Sequence, residues 1–97
     1  MTAHGLPPLT SLRAFEAVAR RSSFKAAAEE LFVTPTAISH QIRQLEENLG
    51  LRVLERTPRA ARLTAEGSVL YEGIAAGFAE IGKAGREIGR ASCRERV

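Results

Sequence analysis

Thr34-Pro-Thr-Ala-Ile-Ser-His-Gln-Ile-Arg-Gln-Leu-Glu-Glu-Asn-Leu-Gly50 is the stretch that decides the reading of this chain. It has a helix start, a helix stop and two unlike faces. The Thr34 hydroxyl can cap the first turn, and Pro35 suits the first helical position, where its missing N–H would be unpaired in any case. Gly50 ends the helix by accepting a left-handed conformation that Leu49 could not adopt cheaply. Ile38, Ile42, Leu45 and Leu49, spaced 4, 3 and 4, form a single apolar stripe. The opposite side of the first two turns offers Thr36, Ser39, His40 and Arg43, all hydrogen-bond donors and none acidic. The acids Glu46 and Glu47 wait at the far end. A donor-rich, carboxylate-free N-terminal half suits insertion into the major groove of DNA. An ordinary surface helix with a polar face carries the same pattern, so the neighbouring segments have to decide.

Upstream, Leu12, Phe15, Val18 and Ala19 share one helical face, with Thr10 as the expected cap. Residues 1–8 are a polar, proline-containing lead expected to be flexible, since Pro7 and Pro8 disfavour helix before them. Phe24, Ala27, Ala28 and Leu31 predict a short second helix capped by Ser23. Its alanines permit the close crossing that a helix-turn-helix needs. Phe32-Val33-Thr34 is long enough for the turn, with Val33 expected to plug the corner; the usual glycine is missing.

Downstream, residues 51–56 have the content of a short strand, Thr57-Pro-Arg-Ala60 that of a turn, and residues 61–63 that of a return strand. This hairpin holds four arginines (52, 56, 59 and 62) against one acid, Glu55. Arg56 and Arg59 are expected at its tip. Thr64 then opens a helix with Tyr71, Ile74, Phe78, Ile81 and Ile88 on a near-heptad stripe. Through residue 87 it would run roughly 36 Å. Gly73, Gly77, Gly82 and Gly85 weaken it in isolation by about 1 kcal/mol each, so packing against a second copy is expected, with a curved helix folded back on its own domain as the alternative. The fold class is therefore mostly α. A winged helix-turn-helix (three helices plus a small β-hairpin wing) spans 9–63, and a long linker helix for dimerisation spans 64–87.

Ninety-seven residues make one small domain. A net charge of +3 alone does not imply nucleic acid, and the lone Cys93 forms no internal disulfide. No segment approaches the ~18 apolar residues of a membrane span. The N-terminus lacks a signal-peptide pattern, so a cytoplasmic location is expected. Ser39 and His40 point about 100° apart on a helix and cannot act as nucleophile and base. With no phosphate-cradling glycine loop or metal-ligand spacing, neither catalysis nor a cofactor is expected.

The runs at 12–20, 23–31 and 34–46, then Leu-Glu-Arg-Thr-Pro-Arg (54–59) and Leu-Thr-Ala-Glu-Gly (63–67), resemble the N-terminal region of LysR-type transcriptional regulators. The opening Leu6-Pro-Pro-Leu9 is similar to the glycine-cleavage activator subgroup. The resemblance covers residues 6 to about 87. It implies a bacterial regulator that binds promoter DNA as a homodimer or higher oligomer, paired through the linker helix. A small-molecule effector domain would follow in sequence. One departure is Pro35, where the family often has a base-reading glutamine. The last ten residues, Ile88-Gly-Arg-Ala-Ser-Cys-Arg-Glu-Arg-Val97, resemble a translated sequencing adapter, which would make 88–97 a non-native tail.

The DNA-binding residues expected are Thr34, Pro35, Thr36, Ser39, His40, Arg43, Arg56 and Arg59, with phosphate contacts at Ser23 and Lys25. Tyr71, Ile74, Phe78 and Ile81 are expected to mediate dimerisation. The competing reading is a helical protein-interaction module in which the helix-turn-helix is purely structural.

Overall fold

Small side chains set how closely the helices of this domain approach. The computed structural model describes residues 6–57 and 60–95, with side chains through residue 89. Four helices, α1 (Leu9–Arg21), α2 (Phe24–Leu31), α3 (Pro35–Leu49) and α4 (Ala65–Glu95), surround a hairpin of β1 (Leu54–Arg56) and β2 (Ala61–Leu63). Ala14, Ala17, Ala27 and Ala28 are all buried where α1, α2 and α3 cross, and Phe15, Val18, Ile38, Leu45 and Val53 fill the centre. Ser11, fully buried on α1, donates from Oγ to Gln41 Oε1 on α3 at 2.9 Å, so the polar group in this core has a partner. The strands pair antiparallel, Leu54 opposite Leu63 and Arg56 opposite Ala61. The result is a winged helix-turn-helix with a long C-terminal helix.

Three local expectations need correction. Thr10 does not cap α1. The helix starts two residues earlier, at Leu9, and the Pro8 carbonyl accepts from Ser11 N–H and Leu12 N–H at 3.0 and 3.2 Å, with no side-chain cap. Val33 does not plug the α2–α3 corner, since it is 46% exposed. Backbone closes that turn instead: Val33 N–H donates to the Ala28 carbonyl at 3.0 Å, and Phe32 takes the left-handed conformation (φ 59°) usually given to glycine. Such a φ costs a phenylalanine about 1 kcal/mol, and its ring lies in solvent. The third concerns Ile74, expected at a dimer seam. It is turned into the domain's own core at 8% exposure, with Tyr71 and Phe78 half-buried against that core.

The start of α4 explains the third correction. Thr64 N–H donates to the Val53 carbonyl at 3.1 Å, and Thr64 Oγ1 donates to the Arg52 carbonyl at 2.8 Å. The same Oγ1 accepts from Gly67 N–H at 2.9 Å, capping the helix as its sequence position suggested. Gly67 lies so near the β1 approach that a Cβ there would sit 2.0 Å from the Val53 carbonyl oxygen. Pinned in this way, the first turns of α4 lie on α1, and the apolar stripe emerges only at Ile81 and Ile88, 65% and 70% exposed. The helix does not stop near residue 87 but continues to Glu95.

On the outer surface, Arg20 pairs with Glu16 (2.8 Å) and with Glu30, and Arg21 pairs with Glu30 (3.2 Å), tying the end of α1 to α2. The hydrogen bond from Arg20 holds the Glu30 carboxyl below its ordinary value.

Two outcomes follow from this packing. Gly67→Ala should lower stability in urea unfolding by about 2 kcal/mol or more, because backbone must move. Gly73→Ala, whose Cβ would meet nothing within 4 Å, should raise it by about 0.5–1 kcal/mol. For Glu30, a folded value below the unfolded one stabilises at neutral pH, and the contribution is lost as pH falls through the lowered value. Unfolding midpoints measured below about pH 5 should therefore fall less steeply in Glu30→Gln than in the parent. Parallel profiles would show that the pair contributes nothing.

Candidate nucleic-acid interface

The exposed face of α3 is set by its caps and its buried stripe. Thr34 Oγ1 accepts from Ala37 N–H at 3.1 Å, Pro35 occupies the first turn, and Gly50 (φ 72°) closes the helix by donating to the Glu46 carbonyl at 2.8 Å. Ile38, Ile42 and Leu45 are buried, so Thr36, His40 and Arg43 are left exposed and Ser39 half-buried. Residues 36, 39, 40 and 43 recur at helical spacing and share that face. Thr34 and Pro35 stand exposed at its leading end.

The wing is held on by groups from three helices or their ends. The Glu46 carboxylate accepts from Val53 N–H at 3.0 Å and from Leu54 N–H at 3.3 Å, fastening the entry to β1 onto α3. Ala61 N–H of β2 donates to the carbonyl of Ser22, just past α1, at 3.1 Å. Thr64 completes the attachment from the α4 side. Across the hairpin turn, Thr57 N–H and Thr57 Oγ1 both donate to the Ala60 carbonyl at 2.8 Å, and Ala60 N–H returns a bond to Thr57 Oγ1 at 2.9 Å. Pro58 and Arg59, expected at the wing tip, lie outside the described residues.

Between α3 and β1 runs an open cleft lined by Phe24, Ser39, Arg43, Glu46, Arg52 and Arg56, with Ile42 and Leu54 at its floor. Three guanidiniums face one carboxylate there, and the Arg52–Glu46 pair is loose at 3.9 Å. The cleft is therefore positive and suits an anionic chain. Arg56 does not project as a free tip residue. It turns back toward α3, its guanidinium 3.9 Å from the centroid of the Phe24 ring, and donates from Nη2 to Ser39 Oγ.

Of the expected residues, the fold brings Ser39, Arg43 and Arg56 together, while His40 is exposed outside the cleft. Ser23 Oγ caps α2, accepting from Ala26 N–H at 3.0 Å, and Lys25 is exposed beside it. Two cleft residues escaped the sequence reading. Phe24 was counted only as part of an apolar stripe, and Glu46 only as an acid remote from the donors. The spacing 39, 42, 43, 46 could have placed Glu46 on the cleft side. Ile81 and Phe78 line a shallow patch with Leu9 and Arg13. Among the described residues, no helix is long and apolar enough to cross a membrane, and no group of three or more His, Cys, Asp or Glu could hold a metal ion.

Known proteins share both this sequence and this geometry. The glycine cleavage system transcriptional activator of Escherichia coli (strain K12) is 48% identical over 83 residues, covering 86% of this chain and 27% of that protein. The HTH-type transcriptional activator AmpR of Pseudomonas aeruginosa is 50% identical over 74 residues, covering 76% of this chain and 25% of that one. The chain thus spans about a quarter of the length of the curated relatives it matches. Among solved structures, the CbnR DNA-binding domain in complex with DNA superposes with a TM-score of 0.76 at 33% identity, covering 88% of this chain and 98% of that one. The BenM DNA-binding domain with benA site 1 DNA gives 0.80 at 33% identity, covering 88% and 96%. Residues 9–68, from the start of α1 into the first turn of α4, match the family described as "Bacterial regulatory helix-turn-helix protein, lysR family". With more than half its length inside that match, the chain belongs to the LysR family of bacterial regulatory helix-turn-helix proteins.

Proposed function

We propose that this chain is the DNA-binding part of a transcriptional regulator and acts in the cytoplasm without catalysing a reaction. One observation carries the reading: the carboxylate-free N-terminal face of α3 runs into a cleft where Arg43, Arg52 and Arg56 face one carboxylate, Glu46. Thr36, Ser39 and His40 would face the major groove, with Thr34 and Pro35 at the entering end of the helix. Arg43 and Arg59 would neutralise phosphates or enter the narrower groove, with Arg56 of the wing held beside Ser39 in the same DNA-binding cleft. Ser23 and Lys25 would touch backbone at the start of α2. Two solved structures that this chain resembles, the CbnR and BenM DNA-binding domains, are themselves complexes with DNA, which supports a DNA-binding role.

A second copy would complete the reader. Ile81, exposed beyond the part of α4 that its own domain covers, is the residue proposed at that contact, with Phe78 at its margin. Two copies would present two α3 helices to half-sites of a partly palindromic operator. A C-terminal effector domain, as in a regulator of full length, is proposed to follow, and residues 88–97 are proposed to be a translated adapter. The codons for 88–97 should then match adapter sequence, and codons unlike it would end that idea.

Affinity for duplex DNA should fall steeply as salt rises from about 50 to 200 mM. Arg43→Ala should reduce the slope of log K against log salt by about 0.9, one phosphate's worth. Fluorescence anisotropy over a salt series measures both. Binding insensitive to salt and to this change would favour the protein-interaction reading instead. Ile81→Asp should shift the chain to monomer in analytical ultracentrifugation while leaving its circular dichroism unchanged.

A further inference from the structure

A wing arginine of a DNA reader is ordinarily assigned to phosphate. Here Arg56 is engaged before any DNA arrives. Its guanidinium lies 3.9 Å from the Phe24 ring centroid, and its Nη2 donates to Ser39 Oγ, so one side chain of β1 bridges α2 and α3. The direction of the second contact is fixed by chemistry. A guanidinium has donors only and stays protonated, so Ser39 Oγ must be the acceptor. The Ser39 O–H is then left as the donor on the outward face.

We propose that Arg56 is a positioning residue for sequence readout: braced on Phe24, it locks the wing to α3 and orients the Ser39 hydroxyl toward acceptors on the DNA. This deepens the DNA-binding reading above and rests on it. A phosphate ligand needs only positive charge, which lysine also has. A strut needs a planar group that stacks on a ring while its edge reaches a hydroxyl, and lysine offers no such plane. The two roles therefore separate on conservative substitution.

The probes are a duplex enriched from a random pool by binding to the full chain, and a scrambled duplex of the same composition. Arg56→Lys should weaken binding to the enriched duplex about tenfold while leaving the scrambled duplex and the salt slope unchanged. Phe24→Leu, which alters no charge, should show the same pattern. In a Ser39→Ala background, Arg56→Lys should cost nothing further. Equal loss on both duplexes with a shallower slope would make Arg56 a phosphate contact and overturn the proposal. So would an Arg56→Lys protein that binds the enriched duplex like the parent. A measurement on the DNA-free protein tests the strut separately. The Arg56 δ-methylene protons should be shifted upfield by the Phe24 ring current in NMR spectra, and the shift should vanish in Phe24→Leu. An Arg56 at ordinary random-coil shifts in the parent overturns the proposal even if DNA binding stands. Shifted Arg56 protons in a protein that enriches no duplex would leave the brace in place and refute the DNA-binding reading, and with it the readout role.

Discussion

A hairpin with three residues in each strand cannot hold itself together in water, so the wing depends on what fastens it to the helices. The Glu46 carboxylate supplies the attachment to α3 by accepting from two successive amides, Val53 and Leu54. Hydrogen bonds to a charged acceptor are each worth about 1.5–3 kcal/mol, a large share of the stability of a small domain. Their geometric effect is greater than their energy. They place the start of β1 one turn beyond Arg43 on the same side of α3, and that juxtaposition is what creates the cleft. An acid inside a surface meant for an anion looks like an error when residues are read singly. Both amides and, loosely, Arg52 face its Oε2, so this carboxylate is already engaged within the domain.

The elements were legible where their determinants are local. The cap at Thr34, the proline after it and the left-handed Gly50 set the limits of α3, and Ser23 set the start of α2. The readings that failed depended on groups distant in sequence, or on backbone that no side chain announces. Val33 was assigned to the corner because it is apolar and adjacent, yet the Ala28 carbonyl and a left-handed Phe32 close that turn without it. At the site, helical spacing identified Ser39 and Arg43. It could not show that Arg56, 17 residues beyond Ser39, returns to the same hydroxyl. Phe24 illustrates the same limit, since an aromatic in an apolar stripe is ordinarily core. Only the fold shows that the face of this one supports a guanidinium.

The long helix raises a question of allocation. A heptad-like stripe suggests one continuous partner surface, but Gly67 allows α4 to start in contact with the Val53 carbonyl, and that contact commits the next three turns to the domain's own core. Ile74 is consumed there. Ile81, the next apolar position on the stripe, is 65% exposed and shares only a shallow patch with Phe78, Leu9 and Arg13. One stripe thus does two things in sequence, first anchoring the helix on its own core and then leaving an apolar residue exposed at Ile81. The exposed glycines at 73 and 77 fit this division: neither is required by a close neighbour, and both lower the intrinsic stability of a helix in its middle. That division of the stripe follows from where the Gly67 contact sets the start of the helix, rather than from any residue on the exposed face of α3.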